Sequence, residues 1–285
     1  MAIAVLFGLV AALCYGTSNF VARISGKSGG VLPTLVWSQI LLFFAATVVS
    51  FYFRSWPQGS HREYMFASAS AVAIVVGTGC LYRAVATGRL TVVVPIMSAY
   101  GAVTGLLAMT TGEPPTSLTF AGLTLTVVGA ILSAVQSEPK GRGTSSGLSF
   151  ALGSALLFGF GYWLQGTFVL PAFGPGPTIW LYYLHAAILF TLTAIVIRRP
   201  LFTFDGSRQI GALVLTALLS GSGFVATMLA LKGGDVAIGS AVSSTSTAVS
   251  ALLAFLWLKE RPGLAGWVGM MSVVVGVIIL QIASA

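Results

Sequence analysis

Long apolar runs, separated by a few polar or charged residues, follow one another along the whole chain. A run of roughly 20 apolar residues is what an α-helix needs to cross the hydrocarbon core of a bilayer. Inside lipid the backbone must satisfy its own hydrogen bonds, so only helices and closed barrels can span it. The runs lack the alternating polar pattern of a barrel strand. The sequence therefore predicts an all-α integral membrane protein.

Ten of these runs are predicted to be transmembrane helices. A stretch rich in Gly, Ser and charged residues, 136–147, separates the first five from the last five and indicates a linker. The predicted spans are 3–22, 31–53, 65–86, 90–110 and 118–135 before the linker, and 148–170, 178–197, 210–231, 236–258 and 264–282 after it.

Composition and charge exclude a soluble domain and a nucleic-acid-binding protein. Hydrophobic residues make up 56% of the chain and charged residues 7%, against roughly 25% charged residues in a soluble domain. The net charge is +8, but the basic residues stand singly or in pairs at the ends of the apolar runs, as membrane anchors do. Cys14 and Cys80 lie inside apolar runs, where packing as small residues is expected instead of a disulfide.

The two halves of the chain resemble each other. One constant spacing joins five pairs of identical residues: Glu113 with Glu260, Pro115 with Pro262, Gly122 with Gly269, Gly129 with Gly276 and Ile131 with Ile278. Because each half holds an odd number of spans, the second half must enter the membrane from the opposite side. The sequence predicts two inverted five-helix repeats, 1–135 and 148–285, with a substrate site near the midplane between them.

Three segments carry a family resemblance. They are Tyr-Gly-Thr-Ser-Asn-Phe at 15–20, Gly-Glu-Pro-Pro at 112–115 and Lys-Glu-Arg-Pro at 259–262. With its ten spans, the chain resembles the drug/metabolite transporter superfamily, specifically its EamA-like ten-helix branch, over its whole length. That family usually has Gly where Lys259 stands, a departure that concerns the local turn. The resemblance implies a metabolite exporter or exchanger.

Polar residues of the first and sixth spans are expected to line a central cavity. Tyr15 and Asn19 share a helix face, as do Tyr162 and Gln165. Aromatic walls with a few polar groups are typical of small-molecule pockets. The predicted substrate-binding residues are Tyr15, Asn19, Tyr82, Arg83, Ser98, Tyr162, Trp163, Gln165, Ser243 and Thr247.

Several of these residues have a second interpretation. Arg83 stands near the end of the third span, so it either reaches the membrane interface with its long stem or faces inward and holds a carboxylate or phosphate. Tyr82 and Trp163 are alternatively interface anchors. The hydroxyls of the ninth span, including Ser243 and Thr247, either line the pore or bond between helices.

Other embedded residues add two hypotheses and one exclusion. His185, in the middle of the seventh span, is either a neutral imidazole bonded to a neighbouring helix or part of a proton relay. Pro95 is expected to kink the fourth span. All 6 acidic residues lie at span ends or in loops. Without a membrane-embedded carboxylate, the predicted substrate is neutral, zwitterionic or anionic, and not a lipophilic cation.

The predicted function is secondary transport of small polar metabolites such as amino acids, by alternating access, with export or exchange across the inner cell membrane. No enzymatic activity, cofactor, metal or nucleic-acid partner is predicted. The predicted partners are a small-molecule substrate and the lipid bilayer, and the oligomeric state is left open, with a monomer as one option. The alternatives are an intramembrane enzyme, a lipid-handling membrane protein or, within transporters, multidrug efflux.

The sidedness of the termini receives two opposite predictions. In the ten-span arrangement most basic residues fall on the side away from the termini, so the positive-inside rule places both termini outside the cytoplasm. The family resemblance implies that both termini are cytoplasmic. The energy coupling is left open.

Overall fold

The computed structural model describes residues 2–29, 31–88, 93, 96–111, 116–135, 144–198, 201, 206–232, 236–258 and 263–283, and at some helical positions the backbone alone. Within these ranges the chain is helical and contains no strand. The first half contains α1 (Ala2–Gly29), α2 (Val31–Tyr52), α3 (His61–Thr87), α4 (Tyr100–Ala108) and α5 (Ser117–Val135).

The second half begins with α6 (Thr144–Leu164), which continues through a π-helical segment (Gln165–Val169) into α7 (Leu170–Phe173). The remaining helices of this half are α8 (Pro175–Val196), α9 (Ser207–Leu231), α10 (Val236–Ser244), α11 (Ser246–Leu258) and α12 (Leu264–Ala283).

Several helices are long and apolar enough to cross a bilayer. By length and composition, 5 described stretches qualify: Leu32–Tyr52, His61–Thr87, Gly147–Phe173, Pro175–Val196 and Gln209–Leu231. Leu6–Ala22 and Leu264–Gly276 are shorter apolar helices. Large apolar side chains such as Phe44, Val48 and Leu218 point away from the protein, as a lipid-facing surface requires. The molecule is therefore a multi-pass membrane protein.

Each predicted span overlaps a helix, but three differ from continuous α-helix. The predicted sixth span passes through the π-helical segment, and its helix begins at Thr144, so residues 144–147 of the predicted linker are helical. The ninth is interrupted at Thr245, whose backbone N–H and hydroxyl both bond to the carbonyl oxygen of Val242. Clustered Ser and Thr hydroxyls compete for backbone carbonyls in this way and weaken the helix. In the fourth, a turn at 98–99 precedes α4.

Other predicted features fall outside the described residues. Glu113, Glu260, Pro95 and residues 136–143 of the linker are among them.

The helices pair across the two halves. The pair α1 with α9 has its counterpart in α6 with α3, and the pair α2 with α9 has its counterpart in α8 with α3. Helix α1 packs against α11 as α6 packs against α4, while α5 packs against α12 and α2 against α8. Exchanging the halves therefore maps these helix contacts onto one another.

Glycines allow the closest helix approaches. Between α5 and α12, a Cβ on Gly129 would lie 2.6 Å from the carbonyl oxygen of Gly269, and a Cβ on Gly276 would lie 2.8 Å from that of Gly122. Because a side chain does not fit at either contact, the two backbones approach as small residues permit in membrane helices. The glycines that repeat in the sequence are the ones that meet.

Two further crossings have glycine at their centre. At Gly16 of α1, an added Cβ would overlap Val249 of α11 and lie 2.7 Å from the carbonyl oxygen of Ser246. At Gly159 of α6, an added Cβ would overlap Val103 of α4 and lie 3.1 Å from the carbonyl oxygen of Tyr100.

A hydrogen bond from a side-chain hydroxyl joins the two helices at each of these crossings. Ser250 Oγ donates to the carbonyl oxygen of Gly16 at 3.0 Å, and Thr104 Oγ1 donates to that of Gly159 at 3.1 Å. Such bonds between membrane helices contribute about 0.6 kcal/mol on average.

Helices α2 and α8 also end alike. Arg54 and Arg198 both adopt left-handed backbone conformations, with φ of 51° and 53°. The backbone N–H of Arg54 bonds to the carbonyl oxygen of Phe51, and that of Arg198 to the carbonyl oxygen of Ile195. A left-handed residue just after a helix end is the usual way to stop a helix.

Candidate functional site

A small polar cavity lies at the centre of the helix bundle. Its volume is about 50 Å³. The first half contributes side chains from α1, α2 and α3, and the second half from α6, α8 and α9. The lining residues are Tyr15, Ser18, Asn19, Gln39, Leu42, Ile74, Thr78, Leu81, Tyr82, Phe158, Tyr162, Tyr182, Tyr183, Ser220 and Phe224.

Hydrogen bonds between helices hold several of the polar lining groups. Asn19 Nδ2 donates to Ser250 Oγ of α11 at 3.5 Å, and Ser18 Oγ donates to the carbonyl oxygen of Thr216 in α9 at 3.2 Å. The hydroxyls of Thr78 and Tyr182 lie 3.5 Å apart, joining α3 to α8. These bonds connect the cavity wall to both halves of the chain.

Two lining groups have no hydrogen bond among the described residues, the buried Tyr15 hydroxyl and the side-chain oxygen of Gln39. Gln39 on α2 is only 4% exposed, and its Oε1 has no hydrogen bond among the described residues. A buried amide oxygen without a donor costs about 1–3 kcal/mol. The cavity therefore contains a hydrogen-bond acceptor, Gln39 Oε1, that is available to a donor group of a bound molecule.

Aromatic rings form much of the wall. The Tyr182 ring lies 4.3 Å from that of Phe224 and 4.9 Å from that of Tyr183. The Tyr162 ring of α6 lies 5.9 Å from that of Phe158 and 5.4 Å from that of Tyr100. Rings at these separations interact favourably and keep one another in place.

The lining contains hydroxyl, amide and aromatic groups and, within the described residues, no charged side chain. Such a site recognises a ligand through hydrogen bonds and ring contacts, not through ion pairs. The described chain also contains no cluster of His, Cys, Asp and Glu side chains suited to a metal ion.

The structure brings four of the predicted site residues together. Tyr15, Asn19, Tyr82 and Tyr162 all line the cavity. Tyr15 and Asn19 share a face of α1 as their spacing predicts, and Tyr162 faces them from α6. Their contact with a substrate stays a prediction.

Other predicted site residues lie elsewhere. Arg83 is exposed on α3, the placement that the interface interpretation requires. Trp163 lies on the outer side of α6, where Nε1 is 3.5 Å from Thr111 Oγ1 and the ring contacts Phe160 and Phe168.

Of the last four predicted residues, Ser98, Ser243 and Gln165 do not line the described cavity. Ser98 is buried in the turn before α4, and Ser243 is buried with its hydroxyl donating to the carbonyl oxygen of Gly239 at 2.7 Å. Gln165 is 1% exposed within the π-helical segment. The side chain of Thr247 lies outside the described residues.

His185 of α8 joins two helices. Its Nδ1 lies 2.7 Å from the carbonyl oxygen of Leu181, and its Nε2 lies 3.1 Å from Ser68 Oγ of α3. Since a carbonyl only accepts, Nδ1 carries a proton and donates to Leu181. The ring thus bonds α8 to a neighbouring helix, and its part in a proton relay stays a prediction.

Several lining residues were not predicted from the sequence, including Gln39, Thr78, Tyr182 and Tyr183. A signal for Gln39 was present, because an amide within an otherwise apolar span is costly and commonly functional. No comparable signal separated Tyr182 and Tyr183 from interface tyrosines.

Comparison with known protein families identifies the class of this chain. The EamA-like transporter family matches residues 2–135 and 145–282. An uncharacterized protein from Methanocaldococcus jannaschii is 26% identical over 133 residues, 46% of this chain and 96% of that protein. A solved crystal structure superposes with a TM-score of 0.76 at 16% identity, covering 99% of this chain and 97% of that one, and shares the fold. The chain belongs to the EamA-like transporter family, within the drug/metabolite transporter superfamily.

Proposed function

We propose that this protein is a secondary transporter of small polar metabolites such as amino acids, working by export or exchange across the inner cell membrane. One observation carries the proposal: a buried cavity with polar and aromatic walls lies between helices of both halves. Substrate sites between repeats near the midplane are a recurring feature of secondary transporters. Membership of a transporter family supports the same function.

The proposed architecture is ten transmembrane helices in two inverted repeats, 1–135 and 148–285. The helix contacts that map onto one another when the halves are exchanged support it. The reciprocal glycine contacts of α5 and α12 and the matching ends of α2 and α8 support it as well. Equivalent halves are what alternating access needs, because exchanging their conformations reverses the side on which the cavity opens.

The small cavity volume fits a closed stage of this cycle. A volume of about 50 Å³ is well below the roughly 300–1,000 Å³ of a small-molecule pocket, so an amino acid requires the surrounding helices to separate. The crossings at Gly16 and Gly159 keep one helix of each half close to the opposite half. Movement about these crossings is the proposed route to opening.

The test is counterflow in proteoliposomes. Vesicles loaded with an unlabelled amino acid are diluted into the same labelled amino acid, and a panel covers small, aliphatic, aromatic and acidic side chains. We expect transient, saturable accumulation for at least one of them. The matched control is Trp163→Phe, which changes a side chain outside the cavity and is expected to retain flux.

Absence of counterflow for the whole panel, with saturable binding of a lipophilic phosphonium cation, would move the protein to multidrug efflux. A carboxy-terminal fluorescent reporter separately tests the sidedness of the termini. Cytoplasmic fluorescence would contradict the orientation expected from basic residues.

A further inference from the structure

Gln39, whose Oε1 has no hydrogen bond among the described residues, has an apolar neighbour on the same helix. Leu42 stands one helical turn further along α2, so both side chains lie on one face. Leu42 lines the polar cavity together with Gln39, and it also lines a second, larger space of about 340 Å³.

This second space is an apolar crevice between α2, α8 and α9. Ala46 and Val49 of α2, Ile179 of α8, and Val225 and Leu229 of α9 are among its lining residues. Together with Leu42, Tyr183 of α8 lines both the crevice and the polar cavity. These two side chains are therefore the partition between the two spaces.

The chemistry of the two spaces is complementary. The polar cavity contains the unpaired acceptor of Gln39 and hydroxyl groups, whereas the surface of the crevice is almost wholly apolar. Among the described residues no charged side chain lines either space. A molecule that fills both needs a hydrogen-bond donor at one end and an apolar group at the other.

We propose that the cavity and the crevice are two subsites of one substrate site. Gln39 Oε1 accepts a hydrogen bond from an N–H or O–H group of the substrate, and the crevice receives the apolar side chain. Leu42 and Tyr183 turn aside to join the subsites. The substrate class is small amphipathic molecules, for which leucine is a suitable probe. This inference rests on the proposed transport function.

The polar subsite is tested with Gln39→Met, which preserves side-chain length and removes the acceptor. Binding of leucine and of 4-methylpentanoate, which lacks the amino group, is measured by calorimetry on the full chain in nanodiscs. Hydrogen bonds to charged groups contribute about 1.5–3 kcal/mol, so leucine is expected to bind roughly 10- to 100-fold more weakly. Binding of 4-methylpentanoate is expected to stay unchanged. Gln39→Glu retains an acceptor and is expected to restore leucine binding.

The crevice is tested with Ala46→Phe, which fills it, beside Leu41→Phe on the exposed face of the same helix. Ala46→Phe is expected to weaken leucine binding at least roughly tenfold, the effect of about 1.4 kcal/mol, and to leave glycine binding unchanged. Leu41→Phe is expected to change neither. Monodisperse elution of each variant excludes misfolding.

Two results would overturn the inference. In one, Gln39→Met and Ala46→Phe both bind leucine as the unchanged protein does. In the other, Ala46→Phe releases a co-purified lipid and leaves leucine binding intact, which would make the crevice a lipid site. If either result were found while the unchanged protein showed amino-acid counterflow, the proposed transport function would stand and only the two-subsite inference would fail. If the unchanged protein showed no counterflow for any amino acid, the proposed function and the inference would both fail.

Discussion

The crossing of α1 with α11 and the crossing of α6 with α4 share one design and differ in how they reach the cavity. In each, a hydroxyl donates to the carbonyl oxygen of the central glycine, Gly16 or Gly159. At the first crossing, Asn19 of the cavity wall donates to the same Ser250 hydroxyl. At the second, Tyr162 of the cavity wall packs its ring 5.4 Å from that of Tyr100.

This comparison distinguishes the helix crossings, which are alike in the two halves, from the cavity lining, which is not. The helix crossings depend on the close approach of two backbones, which is possible in both halves of the chain. The same contact between a glycine carbonyl and a hydroxyl therefore occurs at both crossings. The site must recognise one asymmetric molecule, so equivalent positions carry an amide on one side and an aromatic ring on the other. Each crossing therefore connects the cavity to the opposite half through different chemistry.

The largest expected effect comes from filling the crossings. Gly16→Ala places a Cβ against Val249 and 2.7 Å from a backbone oxygen, and Gly159→Ala meets Val103 in the same way. Overpacking of this kind costs about 1–3 kcal/mol. Thermal unfolding in detergent is expected to show a clear loss of stability for both, larger for Gly16→Ala.

The control for this pair is Gly211→Ala in α9. Nothing lies within 4 Å of a Cβ built there, and alanine favours a helix by up to about 1 kcal/mol over glycine. This variant is expected to be as stable as the unchanged protein or slightly more so. If Gly16→Ala unfolded at the same temperature as Gly211→Ala, the first crossing would not be a close contact.

A smaller effect is expected from changing the links to the cavity. Asn19→Ala removes the amide that reaches Ser250, and Tyr162→Phe removes a hydroxyl but retains the ring contact with Tyr100. We expect Asn19→Ala to reduce counterflow several-fold, the effect of about 1 kcal/mol, while membrane insertion is retained. Tyr162→Phe is expected to retain folding stability. Normal flux in Asn19→Ala would exclude its proposed role in the cavity.

Double-mutant cycles measure the two links directly. Asn19 and Ser250 are expected to show a coupling of about 0.6 kcal/mol, typical of a hydrogen bond between membrane helices. The cycle of Tyr162→Phe with Tyr100→Phe is expected to show almost none, because this link is a contact between two rings that both variants retain. Equilibrium unfolding of the single and double variants gives both values. Equal couplings would mean that the crossings do not differ in the way described.

The smallest effect is expected at Trp163, next to Tyr162 in sequence but outside the cavity. Trp163→Phe loses only a 3.5 Å contact with Thr111 and retains an aromatic ring between Phe160 and Phe168. A change within about 0.5 kcal/mol in stability is expected, with counterflow unchanged. Loss of flux in this variant would place Trp163 in the transport route.

Helix positions were predictable because lipid imposes a length and a composition on anything that crosses it. The apolar run at 31–53 corresponds closely to α2 and the run at 210–231 to α9. The repeat drew attention to Gly129 and Gly276, and the structure places both where α5 and α12 approach closely. Interruptions were less visible: nothing in the apolar pattern marked the π-helical segment after Leu164, which contains Gly166 in close contact with Val236 of α10.

The sequence by itself determined that this chain is a helical membrane protein with two similar halves and a polar first span. Only the tertiary structure decided which faces meet at the cavity. Helices that are apolar all round have no face marked as interior, so Tyr162 and Trp163 could not be told apart by pattern. Gln39 and Tyr183 became part of the site when α2 and α8 packed together, because that contact turned their side chains toward the centre.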